Sequence, residues 1–341
     1  MTSELHVLVP FWGLAGGVIK ILDYAAHGVA AGFDVTLWAP VAEPQDPLVA
    51  TLPVVERLGA GGVTRRCLDD LSELRVGEND RVLFTEPAHL RLLDPLGIPA
   101  EQTIQLIQGT RHATPTWNHG LNYRILHRPL ARIAVSEQVH EAIVPHVHPA
   151  LPLHLVPEGH DIEYFSVDRP PITDRRPVRV LYNTWKSDLG DRVAEACADD
   201  DVSFTAMRVP KSWPALRNHY RAADIFLGAP GPEEGFYLPG IEAMAARCAV
   251  VMALVGGNSA YGLPGANMVE CRYDDAQDHA SAIRSLVEDT ETRRSITKTG
   301  LETARRHRIG YERQVAMDVL RNPLGNYDEA VLTPATTNEG P

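Results

Sequence analysis

Two glutamates, Glu234 and Glu242, stand eight positions apart across a glycine- and proline-rich elbow, DIFLGAPGPEEGFYLPGIEAMA, at residues 224–245. Carboxylates beside an anion site are unfavourable unless they accept hydrogen bonds from hydroxyls, and sugars and riboses supply vicinal hydroxyls. Gly235 lets the backbone come close to a ligand. The free N–H groups of Phe236, Tyr237 and Leu238, with the helix start behind them, make an anion cradle. A phosphate flanked by two hydroxyl-binding acids describes a sugar nucleotide. Taken singly, Glu234 reads as an exposed loop acid and Glu242 as a first-turn acid favoured by the helix dipole; the shared setting reverses that balance.

The elements that must hold these groups can be read around them. The run from Asp224 to Leu227 is short, apolar and bounded by turn residues, as a strand buried on both faces of a parallel sheet should be. Pro230, Gly231 and Pro232 end it. Pro239 has the φ that a first helical turn needs, and Ile241 with Ala243 to Ala246 propagates the helix. Glu234 then falls in the loop at the carboxyl end of a strand and Glu242 in the first turn of the following helix, which is where open α/β sheets bind ligands.

Near the N-terminus, Val7–Val9, Val18–Ala31 and Val35–Ala39 read as one βαβ unit with a glycine loop from Gly13 to Gly17 and Gly32 as the helix stop. Gly13, Gly16 and Gly17 do not form G-x-G-x-x-G and no acid ends the second strand, which argues against a dinucleotide site. Residues 81–85 and 103–107 read as further strands, and Gln108, Arg111 and His112, just after the second, are candidates to line a cleft. Ser136 is a good N-cap. Residues 121–132 carry Arg124, His127, Arg128 and Arg132, a basic face that reads either as a solvated surface or as a contact for a membrane or an anionic acceptor. Asp199–Asp201 contains a D-x-D in a turn-like setting and reads as a solvated acid cluster. No His/Cys/Asp set elsewhere has ligand spacing, so no metal is expected.

EEGFYLPGIEAMA resembles the E-x7-E signature of the retaining glycosyltransferases of the GT-B fold, family 4 (glycosyltransferase group 1). Glu234 and Glu242 match its two acids, and Gly235, Phe236, Leu238, Pro239, Ala243, Met244 and Ala245 match residues between and after them. Tyr237 replaces the usual second glycine, and Arg247 stands where a glycine often follows. Gly16–Gly17 resembles the family's GG loop, LHLVPEGHDIEYF its "vIPNGvDxxxF" segment with Glu158 in place of asparagine, and Gly256–Gly257–Asn258 a similar donor-side loop. The family's Gly-Arg before the phosphate lysine is absent, since Asn183-Thr184-Trp185 precedes Lys186; Arg208 or Lys211 is the candidate substitute.

The resemblance implies an α/β protein of GT-B architecture, two Rossmann-like doubly wound parallel-sheet domains facing a central cleft. The expected division is an acceptor domain over 1–168, a linker over 169–178, a sugar-nucleotide domain over 179–310, a helix over 311–323 crossing back to the first domain, and a loose tail over 324–341. It implies a metal-independent, retaining transfer of a hexose-type sugar from a nucleoside-diphosphate sugar to a hydroxyl acceptor, glycan or small molecule. No cofactor is required beyond that co-substrate. Glu234 and Lys186 are the implied catalytic groups, Glu242 the ribose ligand. Gly235, Phe236, Tyr237, Leu238, Gly16, Gly17, Arg208 and Lys211 would bind donor, and Gln108, Arg111 and His112 line the acceptor side. A sugar-nucleotide epimerase on the same fold and a catalytically decayed nucleotide-sugar-binding protein remain alternatives.

Composition is compatible with that picture. The 341 residues suffice for two cores. A formal net charge of −12 argues against nucleic acid and against strong attachment to anionic membranes. The four cysteines have no C-x-x-C spacing and read as reduced thiols of a cytoplasmic protein. No signal peptide and no apolar run of membrane-spanning length is apparent. The oligomeric state is left open.

Overall fold

The computed structural model describes residues 2–13, 15–44, 49, 52–60, 62–166, 176–209 and 212–325. Two parallel sheets organise the chain. The first comprises β1 (Glu4–Leu8), β2 (Asp34–Ala39), β3 (Thr64–Cys67), β4 (Arg81–Phe84), β5 (Thr103–Ile107), β6 (Ala131–Ala134) and β7 (Leu153–Leu155), in the order β3-β2-β1-β4-β5-β6-β7. The second comprises β8 (Val178–Asn183), β9 (Val202–Met207), β10 (Ile225–Leu227), β11 (Ala249–Met252) and β12 (Val269–Glu270), in the order β12-β11-β10-β8-β9. β5, β6, β10 and β11 are buried at every position, as strands covered by helices on both faces must be.

In each sheet the strand order reverses once. The chain runs outward from β1 through β2 and β3, then restarts at β4 on the other side of β1; likewise β9 lies on one flank of β8 and β10 on the other. Loops leaving the carboxyl ends of adjacent strands diverge at such a reversal and leave a crevice. The loops that follow β1, β4 and β5 in one sheet, and β8 and β10 in the other, carry the residues singled out above.

The helix Gly16–Ala31 begins directly after the glycine loop and ends on Gly32, whose φ of 92° is the left-handed cap conformation that glycine adopts without strain. Ser136 accepts a hydrogen bond from Val139 N at 3.3 Å and caps the helix Glu137–Ile143. The helix Ile309–Arg321 packs along Gly16–Ala31, and Arg321 donates to Ala31 O at 3.1 Å. Residues 169–175 of the expected linker and 326–341 of the expected tail lie outside the described residues.

The basic side chains over 121–132 divide: Arg124 and His127 are exposed, Arg128 is partly exposed, and only Arg132 is interior. Arg132 is buried and donates to Gln105, Leu130 O, Ile125 O and Arg128 O; Arg128 clasps Asp94 with both terminal nitrogens, and Arg124 donates to His119 O. Three guanidiniums thus serve the protein's own carbonyls and carboxylates. In the acid cluster Asp200 is bonded to Arg284 at 2.8 Å, and Asp201 lies 3.7 Å from Arg176.

Candidate functional site

A cavity of about 690 Å³ lies where the two crevices face each other. Gly16, Gly17, Gln108 and Arg111 line it from the first half, and Lys186, Glu234, Gly235, Phe236, Leu238 and Glu242 from the second. Ten residues from five separate loops and helix starts therefore meet in one space.

Glu242 sits in the helix Leu238–Ala245 and is 3% exposed. Tyr220 OH donates to its Oε2 at 2.8 Å, and His160 Nε2 lies 3.0 Å from its Oε1. These partners fix the carboxylate without saturating it, because each oxygen has about two acceptor sites. The remaining lone pairs are available to the cavity. Tyr220 comes from the helix Trp213–Ala222, started by Ser212, whose hydroxyl accepts from Ala215 N at 3.2 Å. His160 follows β7, stacked on Phe165 and edge-on to Trp213.

Glu234 is held differently. Its Oε1 accepts from Lys186 Nζ at 2.6 Å and from Gly231 N at 2.8 Å. Its carbonyl accepts from Gly257 N at 2.8 Å, so the Gly256–Ala260 turn supports the elbow from below. The elbow also meets the other half of the molecule: Gly235 N donates to Gln108 O at 3.2 Å, and Thr110 N to Glu233 O at 3.1 Å. Gly235 is required by this approach, since a Cβ there would lie 2.6 Å from Gln108 O.

Tyr237 is completely buried and points under the elbow instead of into the cavity. Its hydroxyl accepts from Ala229 N at 3.1 Å and Asn183 Nδ2 at 3.3 Å, and burial holds its acidity well below that of a free phenol. Lys186 Nζ lies 4.9 Å from the ring centroid. The ring works as a floor for Lys186, at the position where Tyr237 replaces the resembled motif's second glycine. Only the backbone at 237 could serve a ligand.

His112 is also turned away. It is 3% exposed within the turn Thr110–Ala113, is not part of the cavity wall, and burial together with Arg111 and Arg132 pushes its imidazole down to about 3. It is therefore a neutral interior histidine, whereas Gln108 and Arg111 do reach the cavity. Gln108 Nε2 donates to Gly17 O at 3.2 Å and Thr85 Oγ1 at 3.1 Å, which ties the glycine loop to the ends of β4 and β5. Arg208 is exposed and stands outside the cavity wall; Lys211 lies outside the described residues. Among the described residues no group of three or more His, Cys, Asp or Glu side chains is arranged to hold a metal.

His160, Tyr220 and the cavity residue Trp213 belong to the site without being singled out by any motif. Ser212 followed by Pro214, with Trp213, Leu216 and Tyr220 on one helical face, was a helix-start signal. Nothing local marks His160, which meets Glu242 across 82 positions of sequence.

Two facing parallel-sheet halves with the cavity at their strand-order reversals define the GT-B fold, and residues 170–289 match the family model "Glycosyl transferases group 1". The chain is similar over 93% of its length to Anabaena HepE, solved in complex with UDP and glucose, at 16% identity and a TM-score of 0.70 covering 99% of that chain. Sucrose-phosphate synthase from Thermosynechococcus elongatus has 17% identity and a TM-score of 0.68, with 93% of this chain and 98% of that chain covered. In sequence, D-inositol 3-phosphate glycosyltransferase of Stackebrandtia nassauensis is 33% identical over 118 residues, which is 35% of this chain and about a quarter (26%) of that relative. Among the described residues no helix is long and apolar enough to cross a membrane.

Proposed function

We propose that the protein is a retaining glycosyltransferase that moves a hexose-type sugar from a uridine-diphosphate sugar to a hydroxyl acceptor, without a metal ion. The observation that carries this reading is the convergence of Glu242, Glu234, Lys186 and the glycine loop on one cavity between the halves. The solved relative in complex with UDP and glucose supports uridine as the base. Glu242 receives the ribose hydroxyls on its free lone pairs. Glu234 and the N–H groups of the elbow hold the sugar, and Lys186 exchanges Glu234 for the diphosphate as charge develops there. No side chain stands as an obvious nucleophile. A front-face reaction, in which the leaving phosphate helps to deprotonate the acceptor, fits that inventory. Gln108 and Arg111 are assigned to the acceptor side, and the 1–168, 179–310 and 311–323 division is kept as the domain scheme, with the catalytic protein placed in the cytoplasm.

The test is isothermal titration with UDP-glucose, GDP-, ADP- and dTDP-sugars, on the wild type and Glu242→Gln. Glutamine keeps an acceptor for the Tyr220 hydroxyl, while alanine would strand Tyr220 and His160 in the interior at about 1–3 kcal/mol each. Binding of the uridine donor alone, weakened at least tenfold in Glu242→Gln, is the expected result. Equal affinity in both proteins, or no donor binding by either, would refute the assignment. Product analysis with donor and an acceptor panel separates transfer from epimerisation and from binding without turnover.

A further inference from the structure

Glu158 has no part in the reaction outlined above, yet it stands in the same cavity. It is 5% exposed and lines the wall with Gly16, Gly17, Ile19 and Gln108. Its backbone is fixed: its N–H donates to Val135 O at 2.8 Å, and its carbonyl lies 3.3 Å from His307 Nδ1. Its carboxyl has no hydrogen-bond partner among the described residues.

The cation facing it is Lys20, on the helix Gly16–Ala31. An ammonium has three N–H donors. All three are engaged, by Asp23 Oδ2 at 3.0 Å, Gly159 O at 2.7 Å and Glu312 Oε2 at 2.7 Å. Around the carboxyl stand other carboxyls and phenols: Asp23 and Tyr24 from the same helix as Lys20, Glu312 from the terminal helix, Glu234 from the elbow, and Tyr261 beyond it; the His307 imidazole, held below its ordinary value by burial, meets only the Glu158 carbonyl. Asp23 and Glu312 already neutralise Lys20, and Glu234 is paired with Lys186. A buried carboxylate with no donor, whose nearest cation is already neutralised by two other acids, takes up a proton instead. Burial, reinforced by Glu312, Asp23 and Glu234 and only opposed by Lys20, holds the acid well above the usual carboxyl range.

The neighbouring backbone gives that proton a destination. Gly16 and Gly17 open a 16-residue helix whose N-cap residue, Ala15, supplies no side-chain cap and whose first turn has no acid. An anion is favoured at such a start, and an ionised Glu158 beside it would repel that anion. We propose that Glu158 enters the cavity as a carboxylic acid and donates its O–H to a diphosphate oxygen of the bound sugar nucleotide. It complements Lys186 from the opposite wall, as a neutral donor in place of a second cation. The inference rests on the sugar-nucleotide reading of the cavity.

The test is titration of the full-length wild type, Glu158→Gln and Glu158→Ala with UDP-glucose between pH 6 and pH 9, a ligand whose diphosphate does not titrate there. Glutamine keeps a neutral N–H donor, so its affinity should stay flat with pH. The wild type should match it at pH 6 and fall as pH rises, and alanine should be weaker by about tenfold at pH 6, the worth of one hydrogen bond to a charged group. Thermal unfolding over the same range gives a ligand-free readout. The folded chain retains a proton that the unfolded chain releases above its ordinary pKa, so wild-type stability should fall with pH relative to Glu158→Gln. Glutamine as weak as alanine at pH 6, or parallel wild-type and glutamine pH profiles, would overturn the proposal while leaving the donor reading intact. Failure of the wild type to bind UDP-glucose at any pH would sink the donor reading and this role with it.

Discussion

At the scale of single residues, Lys186 and Glu234 form an ion pair that is open to solvent on one side, with side-chain exposures of 30% and 19%. Pairs of this kind contribute about 0–1 kcal/mol to stability. Lys186→Met should therefore unfold within about 1 kcal/mol of the wild type. If Lys186 serves the diphosphate as proposed, transfer rate should nevertheless fall by roughly two orders of magnitude, because a fixed charge aimed at a leaving group acts chiefly in the transition state. Steady-state kinetics beside a denaturant titration would check this; loss of stability with unchanged turnover would make the lysine structural. The residue types of this pair were legible because the acid and the lysine each follow a recognisable strand. Their mutual contact, across 48 positions, was not. Tyr237 shows the limit from the other side: its place in the motif was plain, but only packing decides that its ring goes down beneath Lys186 and not toward a ligand.

At the scale of elements, the strand, elbow and helix over 224–245 could be read from punctuation alone, since β10 is an unbroken apolar run and Pro239 falls at the start of the helix. The short edge strands β3, β7 and β12 were missed. β3 reads TRRC, with alternating partial exposure instead of an apolar run, and β12 has only two residues. His112 was misplaced because its distance from β5 in sequence says nothing about the direction of the intervening turn. The elbow depends on its glycines in a testable way. A Cβ on Gly257 would lie 2.0 Å from the Gly235 carbonyl carbon and 2.3 Å from Phe236 N, backbone atoms that cannot swing aside. Gly257→Ala should cost about 1–3 kcal/mol through overpacking and should push Glu234 out of reach of Lys186. Thermal unfolding and UDP-glucose titration together would register both effects; a variant with wild-type melting and affinity would show that the turn Gly256–Ala260 yields freely.

At the scale of the whole molecule, the two halves are joined by a buried polar knot that no local pattern announces. Lys20 and His27 on the first helix of one half reach Glu312 on the terminal helix, at 2.7 and 2.9 Å, and Glu312 also accepts from Gly159 N at 2.6 Å. Arg57 extends the knot to Asp161 at 3.1 Å. Burial alone would depress the Lys20 ammonium and raise the Glu312 acid, yet the mutual attraction of these groups keeps both charged. Helical periodicity marks Lys20 and Glu312 only as charges on amphipathic helices, whose expected place is the solvent face; they were unreadable because their burial exists only once the terminal helix docks. Lys20→Met leaves Asp23 and Glu312 inside without their ammonium and should cost about 3–5 kcal/mol. The additional substitution Glu312→Leu removes one stranded charge, so the double variant should be less impaired than the two single losses added together, although His27 and Gly159 N lose their acceptor. Because the knot fastens the terminal helix across the halves, its loss should also divide one cooperative unfolding transition into two, seen as non-coincident guanidinium curves by circular dichroism and tryptophan fluorescence. Coincident curves in Lys20→Met, at the wild-type midpoint, would mean that the continuous apolar core running from Val139 and Ile107 to Leu238 and Ile241 holds the halves together by itself.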